Sequence, residues 1–325
     1  MDVRSADDAS IEEAARRLRR GELVVFPTET VYGIGADASN ADAVARLYRI
    51  KQRPPGHPVI VHVLDDASAR VWGEWSQRAQ RLAEAFWPGP LTLILKRAAG
   101  APAWACGAES TIGLRAPAHP VARALLRAFV RLGGRGVAAP SANRFGRISP
   151  TRAEHVVDDL GEEAPLILDG GPCEVGVEST ILDLSRTRPV LLRPGGISIA
   201  QLSAALGEEV LERDSHVPRA SGTLDSHYAP ATPAELVDAD DVASRVAHWH
   251  REGKRVALWS RTVASPLAQV SLAMPRDART TAHQLYDTLR RLDRSGCDRI
   301  VIERVPRTPE WRAVHDRLQR ASAGT

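Results

Sequence analysis

Leu23-Val24-Val25-Phe26-Pro27-Thr28-Glu29-Thr30-Val31-Tyr32-Gly33-Ile34-Gly35 decides how the first half of this 325-residue chain reads. Its first four residues form a short apolar strand that ends where Pro27 removes a backbone donor. Small polar residues follow at once, so Thr30 is presented at a strand-to-loop edge. Upstream, Ser10-Ile11-Glu12-Glu13 reads as a capping box opening a helix that runs through Arg20 and is closed by Gly21. Downstream, Asn40 caps a second helix with Val44, Leu47 and Tyr48 at helical spacing, ending near Lys51.

Strands and helices then alternate. Val59–Val63, Leu91–Leu95, Thr111–Arg115 and Gly136–Ala139 read as strands, with helices at Trp75–Phe86 and Val121–Leu132 between them. Ser149-Pro150 reads as an N-cap followed by Pro at the first helical position, opening a helix through Leu160. Strands near Leu166–Asp169, Glu178–Asp183 and Val190–Arg193 lead to a helix from Ser198 to Leu206. Residues 1–207 therefore form one α/β domain. Residues 208–233 keep no period and carry Pro218, Gly222, Pro230 and Pro233, which is linker chemistry. Residues 234–325 restart as β-α-β-α-β-α, the pattern of a small parallel sheet covered by helices.

Composition narrows the chemistry. The net charge of +3 hides a segregation: residues 51–150 carry +9, residues 151–250 carry −11 and residues 251–325 carry +7. The basic block suits a polyanion such as a nucleotide or RNA. Cys106, Cys173 and Cys297 are far apart with no C-x-x-C spacing, which argues against a disulfide framework or a structural zinc site. The strongest apolar run, Leu91–Leu95, stops at Lys96 and falls far short of the roughly 20 residues that span a bilayer. The first eight residues lack a leader's apolar segment, so a soluble, cytoplasmic protein is expected. There is no P-loop, no G-x-G-x-x-G, no G-x-S-x-G elbow around Ser141 and no H-E-x-x-H.

Small polar and basic residues at strand ends remain as the candidates. Lys51-Gln52-Arg53-Pro54-Pro55-Gly56-His57 holds two cations and an imidazole on a proline-stiffened loop, which suits a triphosphate. Arg115 ends a strand, where it can fork onto a carboxylate. Ser141, Asn143, Ser149 and Thr151 surround an expected helix N-terminus, and Ser179 and Arg193 add a hydroxyl and a cation. Taken singly, Thr30 or Ser179 is more often a loop cap, Arg115 or Arg193 a surface ion pair, and His62 a core or interface histidine. The set, in order, is the signal.

The set resembles a known family. PTETVYGIGADA, KQRPPGHPVIVH, STIGLRAPAHP, APSANRFGRISPT, GVESTILDL and LLRPGGI are similar to the YrdC-like domain of threonylcarbamoyl-AMP synthases, and HYAP at 227–230 to their longer, two-domain form. The resemblance implies a twisted, open, mixed sheet with helices, followed by a smaller Rossmann-like α/β domain. It implies an enzyme converting L-threonine, bicarbonate and ATP to threonylcarbamoyl-AMP and pyrophosphate, for modification of tRNA beside the anticodon by a threonylcarbamoyl transferase machinery. Carried over by motif, Thr30, His62, Arg115, Ser141 and Ser179 hold threonine. Lys51, Arg53, His57, Thr111, Asn143, Thr151, Arg193 and Tyr228 hold ATP, with Lys51 and Arg53 acting on the phosphates. Mg2+ is expected on the triphosphate, without a protein cage. Two positions depart from the family: His57 stands where Asn is frequent, and the linker has Ser221 and Ser226 in place of a proline and a basic residue. Residues 215–230 are expected to form a lid closed by Tyr228. The competing readings are a non-catalytic RNA-binding module and a hydrogenase-maturation carbamoyl transferase, whose cysteine-rich zinc segment this chain lacks.

Overall fold

The computed structural model describes residues 2–54, 56–106, 109–213 and 228–323. Two compact units emerge: residues 1–145, 150–174 and 178–223 form the first, and residues 146–149, 175–177 and 224–325 the second.

The first unit is built on strands β1 (Val3–Ser5), β2 (Val24–Pro27), β3 (Tyr32–Asp37), β4 (Ile60–His62), β5 (Leu91–Lys96), β6 (Thr111–Arg115), β7 (Val137–Ala138), β8 (Leu166–Asp169), β9 (Thr180–Asp183), β10 (Val190–Arg193) and β11 (Leu211–Glu212). They form one mixed eleven-stranded sheet in the order β1-β8-β2-β3-β7-β4-β6-β5-β9-β10-β11. Helices α1 (Asp8–Arg19), α2 (Ala41–Ile50), α3 (Asp66–Ala69), α4 (Gln77–Phe86), α5 (Pro120–Arg131), α6 (Ala153–Leu160) and α7 (Ile199–Leu206) cover it. One apolar cluster gathers Val25, Leu47, Leu93 and Leu202, and another joins α1 and α5 through Leu18, Leu125 and Phe129.

Several boundaries differ from the sequence reading. Helix α1 starts a turn early because the Asp7 carboxylate accepts the Ser10 N–H at 2.8 Å, so Asp7 is the cap. Residues 32–37, to which the sequence reading gave no element, are a fully buried strand. Gly35 is needed there: a Cβ would lie 2.7 Å from Val137 Cγ1 and 2.8 Å from Phe26 Cε1. Ser149-Pro150 does not open a helix. The Pro150 carbonyl accepts the Tyr32 N–H at 2.8 Å, which draws the segment along β3, and α6 begins at Ala153 without a side-chain cap. Residues 211–212, expected within the linker, pair in parallel with β10. Residues 215–227 of the expected lid at 215–230 lie outside the described residues.

The second unit contains β12 (Ala234–Val237), β13 (Val256–Ser260), β14 (Val270–Ala273) and β15 (Arg299–Glu303), all parallel in the order β12-β15-β13-β14. Helices α8 (Val242–Arg251), α9 (Ala278–Asp293) and α10 (Arg312–Ala321) complete the expected alternation, with β14 an additional strand. At the end of β15 the buried Glu303 carboxylate accepts the Arg261 and Thr262 N–H groups at 2.8 and 2.9 Å, tying down the loop after β13. Among the described residues no helix is long and apolar enough to cross a membrane.

Candidate active site

The loop after β2 is shaped by Thr28. Its hydroxyl accepts the Thr30 and Val31 N–H groups at 3.2 Å each and donates to the Val31 carbonyl at 2.7 Å. That spends the single Thr28 proton, so in the 2.8 Å contact between the two hydroxyls Thr30 is the donor. Thr30 keeps its lone pairs for Arg115, whose Nη1 donates to Thr30 Oγ1 at 2.8 Å.

Arg115 ends β6 and is 3% exposed. Its Nε donates to the Gly89 carbonyl at 3.3 Å, and its Nη2 lies 2.6 Å from Glu29 Oε1 in an ion pair buried on both sides. The other Glu29 oxygen accepts the Ala118 N–H at 3.0 Å. Burial opposes the Glu29 charge, but the Arg115 guanidinium outweighs it and holds the carboxyl below its usual range. The sequence reading quoted Glu29 without giving it a role, because a single glutamate between two threonines carries no periodic signal.

His62 pairs in register with Arg115 across β4 and β6. Burial, reinforced by the Arg115 charge, pushes its imidazole down to about 3, so it is neutral at physiological pH. Its ring meets Phe26 edge-on at 6.2 Å, and its buried Nδ1 has no hydrogen-bond partner in the protein.

A second cluster lies two strands away. Ser179 is fully buried, 2.8 Å from Thr92 Oγ1, and accepts Arg193 Nη2 at 3.1 Å. Arg193 Nε also donates to the Ser179 carbonyl at 3.1 Å. A Cβ on Gly113 would lie 3.6 Å from Thr92 Cγ2, and Gly113 shares a face of β6 with Thr111 and Arg115. Both clusters thus open on one sheet face. Thr111 stands at the other end of β6 from Arg115, roughly 13 Å away by strand rise. Ile60, Ile94, Ile181, Val190 and Leu192 form an apolar cluster beside them.

Lys51 caps α2, is 2% exposed, and donates through Nζ to the Ser141 and Asn143 carbonyls. Burial, then Arg53, pulls its ammonium well below the usual lysine range. Arg53 donates to the Pro58 carbonyl at 2.8 Å and stacks over the Phe145 ring at 5.6 Å, and the His57 ring approaches the same phenyl at 5.4 Å. Asn143 is buried, its Nδ2 donating to the Arg144 carbonyl. Thr151 is bonded through its N–H to the His155 ring at 3.2 Å. Tyr228 belongs to the second unit: it is 1% exposed, 5.6 Å from the Tyr286 ring and capped by the Arg317 guanidinium at 5.2 Å. Thr92, Glu29 and His155 are the buried polar partners that sequence patterns did not reveal.

Comparison with known proteins bears on the family. A family model described as telomere recombination matches residues 16–195, and one described as threonylcarbamoyl-AMP synthase, C-terminal domain, matches residues 197–323. A threonylcarbamoyl-AMP synthase from Bacillus subtilis is 39% identical over 336 residues, covering 99% of this chain and 96% of that protein. This chain belongs to the threonylcarbamoyl-AMP synthase family. Among solved structures, Pyrococcus abyssi Sua5 complexed with L-threonine is similar with a TM-score of 0.90 and 35% identity, over 99% of this chain and 96% of that one. E. coli YciO, with a TM-score of 0.53 and 27% identity, covers 60% of this chain and 94% of its own. The two-domain α/β architecture expected from the sequence is therefore that of a threonylcarbamoyl-AMP synthase.

Proposed function

We propose that the protein catalyses formation of threonylcarbamoyl-AMP and pyrophosphate from L-threonine, bicarbonate and ATP, in the cytoplasm, supplying a transferase machinery that modifies tRNA beside the anticodon. The observation that supports it best is the coincidence of the Arg115–Thr30–Glu29 and Ser179–Thr92–Arg193 clusters on one sheet face, in a chain similar over nearly its full length to threonylcarbamoyl-AMP synthases.

In this reading the threonine amine captures CO2 derived from bicarbonate to give a carbamate. A carbamate oxygen then attacks the α-phosphorus and pyrophosphate leaves. No enzyme nucleophile is needed, so the protein contributes positioning and charge. Correct orientation of reactants is worth about 7–11 kcal/mol. Arg115 holds the threonine carboxylate, while His62, kept neutral, offers its unpartnered Nδ1, and Ser141 and Ser179 face the side chain and amine. Lys51 spends two of its three donors on the Ser141 and Asn143 carbonyls and keeps one for a phosphate oxygen. Its ammonium thereby couples phosphate binding to the loop that carries both residues. Arg53, His57, Thr111, Asn143, Thr151 and Arg193 complete the nucleotide set within the first unit.

Mg2+ would neutralise charge on the triphosphate. The ion would be carried by phosphate oxygens and water. The test is pyrophosphate release from ATP with threonine or bicarbonate omitted in turn. Release is expected to require both; equal turnover without threonine rejects the reading.

A further inference from the structure

Arg115 presents five N–H donors. Two are hydrogen-bonded within the protein, Nε to the Gly89 carbonyl and one Nη1 hydrogen to Thr30, while Nη2 pairs with Glu29 by charge at 2.6 Å without hydrogen-bond geometry. The second Nη1 hydrogen and those of Nη2 remain, enough for a carboxylate to take two of them in a forked contact. An arginine serving only to hold a carboxylate does not need a buried glutamate 2.6 Å away. The partner removes much of the attraction that the arginine would exert on an anion, because at this burial the two charges see little screening. Its second oxygen is fixed by the Ala118 N–H, so the carboxylate is built into the site and cannot swing aside freely.

The ligands of the proposed reaction explain why such a pair is useful. Threonine is a zwitterion, whereas ATP, pyrophosphate and bicarbonate are anions. An uncompensated buried guanidinium would bind any of them. A guanidinium already matched by a carboxylate is electrically neutral overall, and it favours a ligand that brings a positive charge together with its negative one. We propose that Glu29 is a specificity-determining residue: it neutralises the Arg115 subsite so that this subsite accepts a zwitterionic amino acid and rejects simple anions. This rests on the threonine-dependent reading above.

The inference is tested by inhibition of pyrophosphate release in the full-length protein. The probes are (R)-3-hydroxybutyrate, which is threonine without its amino group, and inorganic phosphate, each titrated against threonine. In the wild type both are expected to inhibit at least tenfold more weakly than threonine binds. In Glu29→Gln, which keeps the side-chain shape and loses the charge, both are expected to become competitive with threonine at concentrations at least tenfold lower, with KM for ATP within twofold of wild type. Glu29→Asp, which keeps the charge, is expected to restore the rejection of anions. Unchanged inhibition by both probes in Glu29→Gln overturns the inference. If Glu29→Gln does not fold, the wild type decides: 3-hydroxybutyrate binding as tightly as threonine overturns it equally. Wild-type pyrophosphate release that ignores threonine overturns the underlying reading instead, and that outcome is distinct from either of these.

Discussion

His62 shows how one buried side chain links site chemistry to stability. Its folded value of about 3 lies below the ordinary 6.5, so under acid the unfolded chain takes up a proton that the native state refuses. Stability is therefore full above pH 6.5 and falls as the pH drops toward 3, by about 1.4 kcal/mol for each unit in that window. Between pH 7 and pH 5 the loss amounts to about 2 kcal/mol. Glu29 acts in the same direction but only below the ordinary carboxylate range, so this window isolates histidine. His119 and His315 are also shifted down; the difference between wild type and His62→Gln carries the test. Urea denaturation at both pH values is expected to show a smaller acid loss in the variant by about that amount, and equal losses would refute the assignment of a buried neutral imidazole.

At the scale of elements, α9 explains a glycine that sequence alone leaves unremarkable. Gly176 has φ +78°, and a Cβ there would lie 2.5 Å from the His283 carbonyl oxygen and 2.6 Å from that of Ala282. The segment 175–177 folds with the second unit because its backbone lies directly on α9, with no space for a side chain. Gly253 has a similar φ of +70° and nothing within 4 Å of the same position. Gly253→Ala therefore tests conformation alone and is expected to cost about 1 kcal/mol. Gly176→Ala adds the clash and is expected to cost roughly 1–3 kcal/mol more, as overpacking does. Thermal unfolding of the two variants side by side gives the comparison, and equal shifts would mean that α9 gives way without cost.

Across the whole molecule, charge is distributed unevenly: +9 over residues 51–150 against −11 over residues 151–250. Such a field acts on a polyanion far more than on a zwitterion. Raising the salt from 50 to 200 mM is therefore expected to weaken ATP binding by roughly threefold or more and threonine binding by less than twofold. Calorimetric titration of each ligand at both concentrations checks this, and a parallel loss for both would show that the segregated charge plays no part in choosing between them.

What could be read before folding was whatever depends on neighbours in the chain. Alternating apolar runs, the cap at Asn40 and the order of the short motifs were sufficient for two α/β domains and for the family, because strand period and capping are local properties. Arg115, Lys51 and Ser179 were legible as a set for the same reason. Tertiary structure alone decided who meets whom. The ion pair of Arg115 with Glu29 joins residues 86 positions apart in the chain, and Thr92 reaches Ser179 across 87. No spacing in the sequence encodes such contacts, since strand order and register set them. Burial made the remaining decisions. It keeps His62 neutral, pins Lys51 on two carbonyls and leaves Arg115 Nη2 without a hydrogen-bond partner in the protein, because a buried polar group must find its partners within the fold or in the ligand.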